Sequence, residues 1–236
     1  MKKIMTLALA DFKIIFRDPS LKSFLVLPVL LFALILWGVP ALVDNYPFLE
    51  PYLPVFLVVA VVENTQMFSF ITTMVLIDEK ETNVAPIYGV VPLKKWEYLL
   101  SRFLIPYLFT ALLNIILFEV QPFYTIHWID GVGLSLLTAL IVPVYALSVN
   151  AIVKNRMEGM VYIKAFNMLV LLPIAAFFIP EEWRMFFGVL PTHWVFQGVE
   201  AVTQGVSIAL YMGVGVVFFV GLLWGVAKVF IRKHFV

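Results

Sequence analysis

The sequence of 236 residues contains no cysteine and few charged residues. The absence of cysteine excludes disulfide bonds, thiol chemistry and cysteine-ligated metals. Charged residues make up 13% of the chain and hydrophobic residues 63%, whereas soluble domains contain about 25% charged and roughly 45–50% apolar residues. The composition therefore excludes an ordinary soluble domain and indicates a membrane protein.

The motifs of the common nucleotide-binding and hydrolytic sites are also missing. The sequence has no G-x-x-x-x-G-K-[ST] phosphate-binding loop, no H-E-x-x-H zinc motif and no G-x-S-x-G nucleophile motif. Two of the three histidines, His127 and His193, fall in connectors, and His234 lies near the C-terminus. We therefore predict no catalytic site, no metal site and no cofactor bound by this chain.

Six apolar segments are long enough to cross a bilayer, which takes roughly 20 residues per helix. Short polar connectors separate them, and the proline-containing connectors 45–51 and 121–130 are typical of tight turns. The sequence predicts an all-α membrane protein with one transmembrane domain over residues 1–236, comprising a six-span bundle at 24–230 and a tail at 231–236. The predicted spans are Phe24–Val43, Leu53–Ile77, Leu99–Val120, Gly131–Val153, Tyr162–Ile179 and Ile208–Phe230.

The basic residues are concentrated in alternate connectors. Only Arg184 falls on one predicted side of the membrane, which also carries acids such as Asp44, Glu50 and Glu200. By the positive-inside rule the other side is cytoplasmic, so we predict a plasma-membrane protein, of a prokaryote, with both termini in the cytoplasm. The basic residues of that side are Lys2, Lys3, Lys13, Arg17, Lys22, Lys80, Lys94, Lys95, Arg102, Lys154, Arg156, Lys164, Lys228, Arg232 and Lys233.

Residues 1–17 predict a different kind of helix from the spans. At about 100° per residue, Phe12 and the other apolar side chains share one arc, whereas Lys13 and Arg17 lie on the opposite arc. Such a helix lies in the membrane interface. Because Pro19 disfavours helix at Asp18, the chain is expected to turn there into the first span. The alternative is an ordinary juxtamembrane anchor.

The longest predicted cytoplasmic connector, Asp78–Leu100, joins the second and third spans. It begins with the charged run Asp78-Glu79-Lys80-Glu81, and a glycine followed by Pro92 predicts a turn. It also carries apolar residues such as Val84 and Ile87, which must be buried. A cytoplasmic partner or the membrane interface could cover them.

Polar residues inside a span point to function, because a charge at the bilayer centre costs about 2.5–3.5 kcal/mol even on lenient scales. Glu63, Asn64 and Gln66 lie near the middle of the second span, with Glu63 roughly 15 Å from its outer end. We predict a substrate pathway or gate at these residues. The alternative is hydrogen bonding between helices, which fits Asn114 and Asn167 better.

The remaining polar and proline positions inside the spans carry weaker predictions. Arg102 and Lys164 are predicted to extend their charged ends to the nearby interface. Pro106, Pro143 and Pro173 each remove a backbone hydrogen bond and are predicted to permit kinks.

Three stretches of the chain resemble the permease subunits of type-2 ATP-binding-cassette transporters. The first is the amphipathic segment that ends in Arg17-Asp18-Pro19. The second runs from Glu79-Lys80-Glu81-Thr82 through Pro92 to Glu97, where the third span opens. The third is Gly188–Thr192 through Glu200, which resembles that family's outer re-entrant hairpin between the fifth and sixth spans.

The resemblance implies an export permease without a motor of its own. Two copies, or one copy and a paralogous permease, would form a path in the lipid bilayer, and two separate ATPase subunits would bind ATP and magnesium. A coupling helix would contact the ATPase, and residues 1–22 would form a connecting helix. The implied coupling residues are Glu79, Glu81, Thr82, Val84, Ile87, Pro92 and Glu97, and those of the connecting helix are Phe12, Arg17, Asp18 and Pro19.

Two other functions remain as alternatives at this point. A secondary transporter could relay ions through Glu63, although such proteins show repeated halves and the sequence has no convincing repeat. A membrane-embedded enzyme is disfavoured by the missing motifs. No nucleic-acid partner is predicted, and an apolar path favours a lipid, an amphipathic drug or a hydrophobic peptide as cargo.

Overall fold

The structure, a computed structural model, describes residues 19–82 and 95–234. All regular structure within these residues is helical, and six segments are long and apolar enough to cross a membrane. The predicted all-α fold with six spans is therefore confirmed. The spans are Lys22–Asn45, Pro47–Glu81, Lys95–Val120, Trp128–Ile152, Arg156–Phe178 and Ala209–Lys233.

The first span is irregular because of its prolines. Pro40 has no amide hydrogen to donate to the carbonyl of Leu36, and the preceding turn widens into a π-helix. The span begins in the last turn of the helix Pro19–Phe24 and continues through the helices Leu27–Ala33 and Val39–Asn45, with the π-helix at Leu34–Gly38 between them.

The second span opens with a 3₁₀ helix at Pro47–Tyr52 and continues as one α-helix, Leu53–Glu81, of 29 residues. At 1.5 Å per residue this helix is about 44 Å long, whereas the hydrocarbon core of a bilayer is about 30 Å thick. The helix is thus longer than the hydrocarbon core is thick. The charged run 78–81 forms its last turn, so the sequence prediction that this run starts a connector is wrong.

The other prolines inside the spans have unequal effects. The third span is a single helix, Lys95–Val120, that includes Pro106. The fourth is divided into Trp128–Ala139 and Ile141–Ile152, and Pro143 cannot donate to the carbonyl of Ala139 beside this break. The fifth changes from the α-helix Arg156–Leu171 to a 3₁₀ helix, Leu172–Phe178, next to Pro173.

A capping interaction explains where the fifth span begins. The side chain of Asn155 accepts a hydrogen bond of 2.9 Å from the backbone N–H of Glu158, and Glu158 Oε2 accepts one of 2.9 Å from the backbone N–H of Lys154. The first bond satisfies one of the amides that the first turn of a helix leaves without a partner, and the second ties this turn to the residue before the N-cap.

The segment between the fifth and sixth spans turns back into the bundle. It contains the short helix Glu181–Arg184, a 3₁₀ helix at Met185–Val189 and the helix His193–Thr203. The last of these packs against the second, fourth and sixth spans and buries Phe196 and Val199 completely. This arrangement agrees with the predicted hairpin, and the sixth-span helix, Ala209–His234, follows it.

The second and fourth spans form the centre of the bundle and are mostly buried, whereas the first, fifth and sixth expose long apolar faces. Residues 78–82, 95–98, 150–158 and 231–234 lie at one end of the bundle, which we call the terminal face. The other end, with the turns near 46–52 and 121–127 and the hairpin 179–203, is the opposite face. This end includes a stacked pair, Tyr52 and Phe178, with ring centroids 5.6 Å apart.

Candidate translocation path and coupling site

A cavity of about 350 Å³ lies between the first, second and fifth spans. The second span contributes Glu63 and Gln66 to its wall, and the fifth contributes Lys164 and Asn167. One acid, one base and two amides are thus placed in a wall that is otherwise apolar. The apolar part consists of Phe24, Leu27, Leu31, Met67, Phe70, Met160 and Ile163.

The two amides of this cavity join the second span to the fifth. Gln66 Nε2 lies 3.4 Å from the backbone carbonyl of Asn167. The hydroxyl of Tyr145, from the fourth span, lies 2.5 Å from Asn167 Oδ1 and 3.0 Å from the carbonyl of Ile163. The fifth span is therefore fixed to both central spans at the level of the cavity.

Asn64 points in a different direction from its neighbour Glu63. Its amide donates a 2.7 Å hydrogen bond to Asn114 Oδ1 in the third span, and Asn114 Nδ2 donates one of 2.9 Å to Thr65 Oγ1. All three side chains are fully buried. This cluster connects the second and third spans, and Asn64 does not line the cavity that contains Glu63 and Gln66.

A second polar cluster lies where the second span ends and the third begins. Glu79 forms an ion pair with Arg102, and its other carboxylate oxygen accepts a 2.8 Å hydrogen bond from the hydroxyl of Tyr98. The guanidinium of Arg102 also lies 5.1 Å from the centre of the Tyr98 ring. Since Glu79, Arg102 and Tyr98 are 8%, 4% and 2% exposed, Arg102 is a buried partner of Glu79, and the prediction that it extends to the interface is wrong.

The neighbouring charges of the second span bind the connector between the fourth and fifth spans. Glu81 Oε1 accepts a 2.6 Å hydrogen bond from the backbone N–H of Arg156, and the side chain of Arg156 lies 3.5 Å from Asp78. Lys80 donates to the carbonyls of Asn150 and Val153. The end of the second span therefore contacts the third span and the connector between the fourth and fifth spans at the terminal face.

The sixth span is bonded to the fourth span at the same face. Lys233 donates a 2.8 Å hydrogen bond to the carbonyl of Ala151. Asn150 is fully buried and donates to the carbonyls of Thr73 and Ala146. The last turns of the second, fourth and sixth spans are thus connected by side-chain bonds.

Several residues expected at the coupling site can be placed, and others cannot. Glu79, Glu81 and Thr82 end the second span, and Glu97 lies in the first turn of the third. Pro19 is the first residue of the first described helix. Val84, Ile87, Pro92, Phe12, Arg17 and Asp18 lie outside the described residues.

A cavity of about 480 Å³ lies between the hairpin and the sixth span at the opposite face. Arg184 Nη1 lies 3.0 Å from Glu200 Oε1, and Gln197 Nε2 donates to Glu200 Oε2 over 3.1 Å. His193 is 1% exposed, and burial lowers its pKa from the ordinary histidine value. Within residues 19–82 and 95–234 no three acidic or histidine side chains are grouped as a metal site.

Sequence reasoning missed two features of these sites. Lys164 was expected near the interface, but the fifth span begins at Arg156, which places Lys164 about 12 Å along the helix. No role is predicted for Tyr145 from the sequence. The only signal is a weak one: a tyrosine between apolar residues needs a hydrogen-bond partner for its hydroxyl.

Residues 11–227 match the family model described as "Fluoroquinolones export permease protein Rv2686c-like". Two relatives from Mycobacterium tuberculosis are each 27% identical over 104 residues. They are the fluoroquinolones export permease protein MT2760 of strain CDC 1551 / Oshkosh and the fluoroquinolones export permease protein Rv2686c of strain ATCC 25618 / H37Rv. The alignment covers 44% of this chain and 41% of each relative. No solved structure gives a significant match.

Proposed function

The chain belongs to the Rv2686c-like family of fluoroquinolone export permeases, and on that premise we propose that it is the membrane subunit of an ATP-driven drug exporter. The observation that carries this proposal is the family match over residues 11–227, almost the whole chain. Because the sequence contains no phosphate-binding loop, ATP hydrolysis is assigned to separate ATPase subunits, two for each pair of permeases.

The terminal face is proposed to be cytoplasmic and to receive the ATPases. Its described basic residues include Lys80, Lys154, Arg156 and Lys233, which agrees with the positive-inside rule. Residues 83–94 connect Thr82 to Lys95, which both lie at this face, and they are the proposed contact with the ATPase.

The cluster of Glu79, Tyr98 and Arg102 supports a coupling role for this region. It joins the last turn of the second span to the first turns of the third. A displacement of the connector between them would therefore move both spans together. Glu81 extends the effect to the fifth span through the backbone of Arg156.

The cavity lined by Glu63 is proposed to be part of the drug path. Its volume of about 350 Å³ falls within the range of roughly 300–1,000 Å³ found for ligand pockets. The two relatives are named as fluoroquinolone export permeases, so the proposed cargo is an aromatic drug of that kind.

An ion-coupled transporter is the second candidate. The observation that favours it is the carboxylate of Glu63 inside a membrane cavity, since intramembrane acids are common in proton relays. The two candidates differ in their energy source, which can be measured.

The test uses inverted membrane vesicles from cells that express the chain together with a candidate ATPase. Uptake of a fluorescent fluoroquinolone is expected to require ATP and to persist when a protonophore removes the proton gradient. A substitution of the phosphate-binding lysine in the ATPase is the control and should abolish uptake. Uptake that is abolished by the protonophore but unchanged by this substitution would favour the ion-coupled candidate.

A further inference from the structure

The charged residues of the cavity are displaced from each other along the membrane normal. The second and fifth spans run in opposite directions, and Gln66 meets Asn167 at one level. Glu63 precedes Gln66 by one turn towards the opposite face, and Lys164 precedes Asn167 by one turn towards the terminal face. At 1.5 Å per residue the backbones of Glu63 and Lys164 are therefore about 9 Å apart in height.

Helix geometry increases this separation. Every side chain of an α-helix tilts towards the N-terminus of its helix. Glu63 therefore tilts towards the opposite face, and Lys164 tilts towards the terminal face. In agreement with this, no ion pair joins Glu63 to Lys164 within the part of the chain that the structure describes.

The wall of this cavity carries two aromatic rings. Phe24 and Phe70 line the cavity with their ring centroids 4.4 Å apart. Gln66 also lines the cavity, but its Oε1 is buried and accepts no hydrogen bond from the described residues.

From this arrangement we propose that the cavity binds flat aromatic zwitterions, with the amine of the ligand at Glu63 and its carboxylate at Lys164. A charge inside a bilayer is stabilised by a partner of opposite sign, and a ligand with two ends supplies one partner for each residue. A direct Glu63–Lys164 pair would close the site, whereas the displacement keeps it open. The inference deepens the proposed export function and rests on it.

The test measures binding of ciprofloxacin, its methyl ester and its N-acetyl derivative to the purified chain in lipid nanodiscs, with and without the ATPase. The ester lacks the carboxylate, and the N-acetyl derivative lacks the basic amine. The natural chain is expected to bind ciprofloxacin about tenfold more tightly than either derivative, a difference of about 1.4 kcal/mol.

The two charged residues should affect different ends of the ligand. Glu63→Gln should remove the preference for ciprofloxacin over the N-acetyl derivative but keep the preference over the ester. Lys164→Gln should do the reverse. Glu119→Gln and Lys228→Gln serve as controls, because both residues lie in spans but not in the lining of this cavity, and both should keep the natural pattern.

A uniform loss of affinity for all three probes, or an unchanged pattern in both variants, would overturn the proposal. If Glu63→Gln is not recovered as folded protein, Met160→Cys gives a second measurement, since Met160 lines the cavity and is 48% exposed. Thiol labelling there should be protected more by ciprofloxacin than by either derivative, and equal protection would also contradict the proposal. Because binding needs no ATP, a transport assay that fails while the binding pattern holds would reject only the ATP-driven function.

Discussion

Replacement of Glu79 by glutamine tests how the terminal face is held together. Glutamine keeps an oxygen for the hydroxyl of Tyr98 but removes the negative charge beside Arg102. Arg102 is only 4% exposed, so its guanidinium would remain charged in a place that water barely reaches. We expect a large loss of stability.

The size of the loss follows from the burial of the pair. Removing one partner of a buried ion pair costs about 3–5 kcal/mol. For chains of about this length, 1 kcal/mol shifts the melting temperature by roughly 2–4 °C, so Glu79→Gln should lower it by roughly 6–20 °C. The double variant Glu79→Gln/Arg102→Gln should recover part of this loss, because it also removes the buried positive charge that Glu79 offsets.

Glu81→Gln is the matched control, because it changes the same residue type one position beyond Lys80. Glu81 is exposed and accepts one hydrogen bond, of 2.6 Å, from the backbone N–H of Arg156, so its replacement should cost only about 1 kcal/mol. Each variant can be heated in detergent as a fluorescent-protein fusion, and the folded fraction measured by size-exclusion chromatography. Equal melting temperatures for Glu79→Gln and Glu81→Gln, or additive effects in the double variant, would refute the reasoning.

Three further predictions concern other parts of the bundle. Asn114→Ala removes the hydrogen bonds to Asn64 and Thr65, and such bonds are each worth about 0.6 and at most about 1.7 kcal/mol in membranes. The melting temperature should therefore fall by a few degrees. An unchanged melting temperature would show that these bonds do not stabilise the protein. Burial lowers the pKa of His193, so the unfolded chain takes up a proton at a higher pH than the folded chain. Stability should therefore decrease as the pH falls below about 6.5. Melting curves from pH 8 to 5 should show this decrease, and His193→Phe should reduce it. At Gly215 an added Cβ would lie 2.9 Å from Leu137 and 3.3 Å from Trp194, so Gly215→Leu should lower the yield of folded protein. Gly221 has open space around it, so Gly221→Leu should not lower the yield. Equal yields of the two variants would contradict the packing argument.

The number and approximate limits of the spans could be predicted from the sequence, because the length of an apolar run is a local property. The segment Leu99–Val120, for example, lies inside the observed third span Lys95–Val120. The end of the second span could not be predicted in the same way. Its charged run 78–81 looks like a connector, yet it continues the helix. The third span supplies partners for Glu79, and the connector between the fourth and fifth spans supplies them for Lys80 and Glu81.

The direction of each polar side chain also could not be predicted. Glu63, Asn64 and Gln66 are close in sequence, but consecutive helical residues are rotated by about 100°. Asn64 therefore meets the third span, whereas Glu63 and Gln66 meet the cavity beside the fifth. Which helix stands on which side is decided by packing between distant segments, and the sequence pattern of one helix contains no information about it.

The second span brings these observations together in one rigid element. Its α-helix continues without a break from Leu53 to Glu81, carries the cavity wall at Glu63 and Gln66, and ends in the buried pair with Arg102. A continuous helix transmits an axial or tilting motion along its length, because its backbone hydrogen bonds and its buried side chains leave no hinge. The fourth span, by contrast, is divided at Leu140 and can bend there. If the proposed ATPases move the terminal face, the second span would carry that motion from Glu79 to Glu63, about 24 Å along the helix, while the break in the fourth span would allow the neighbouring helices to adjust.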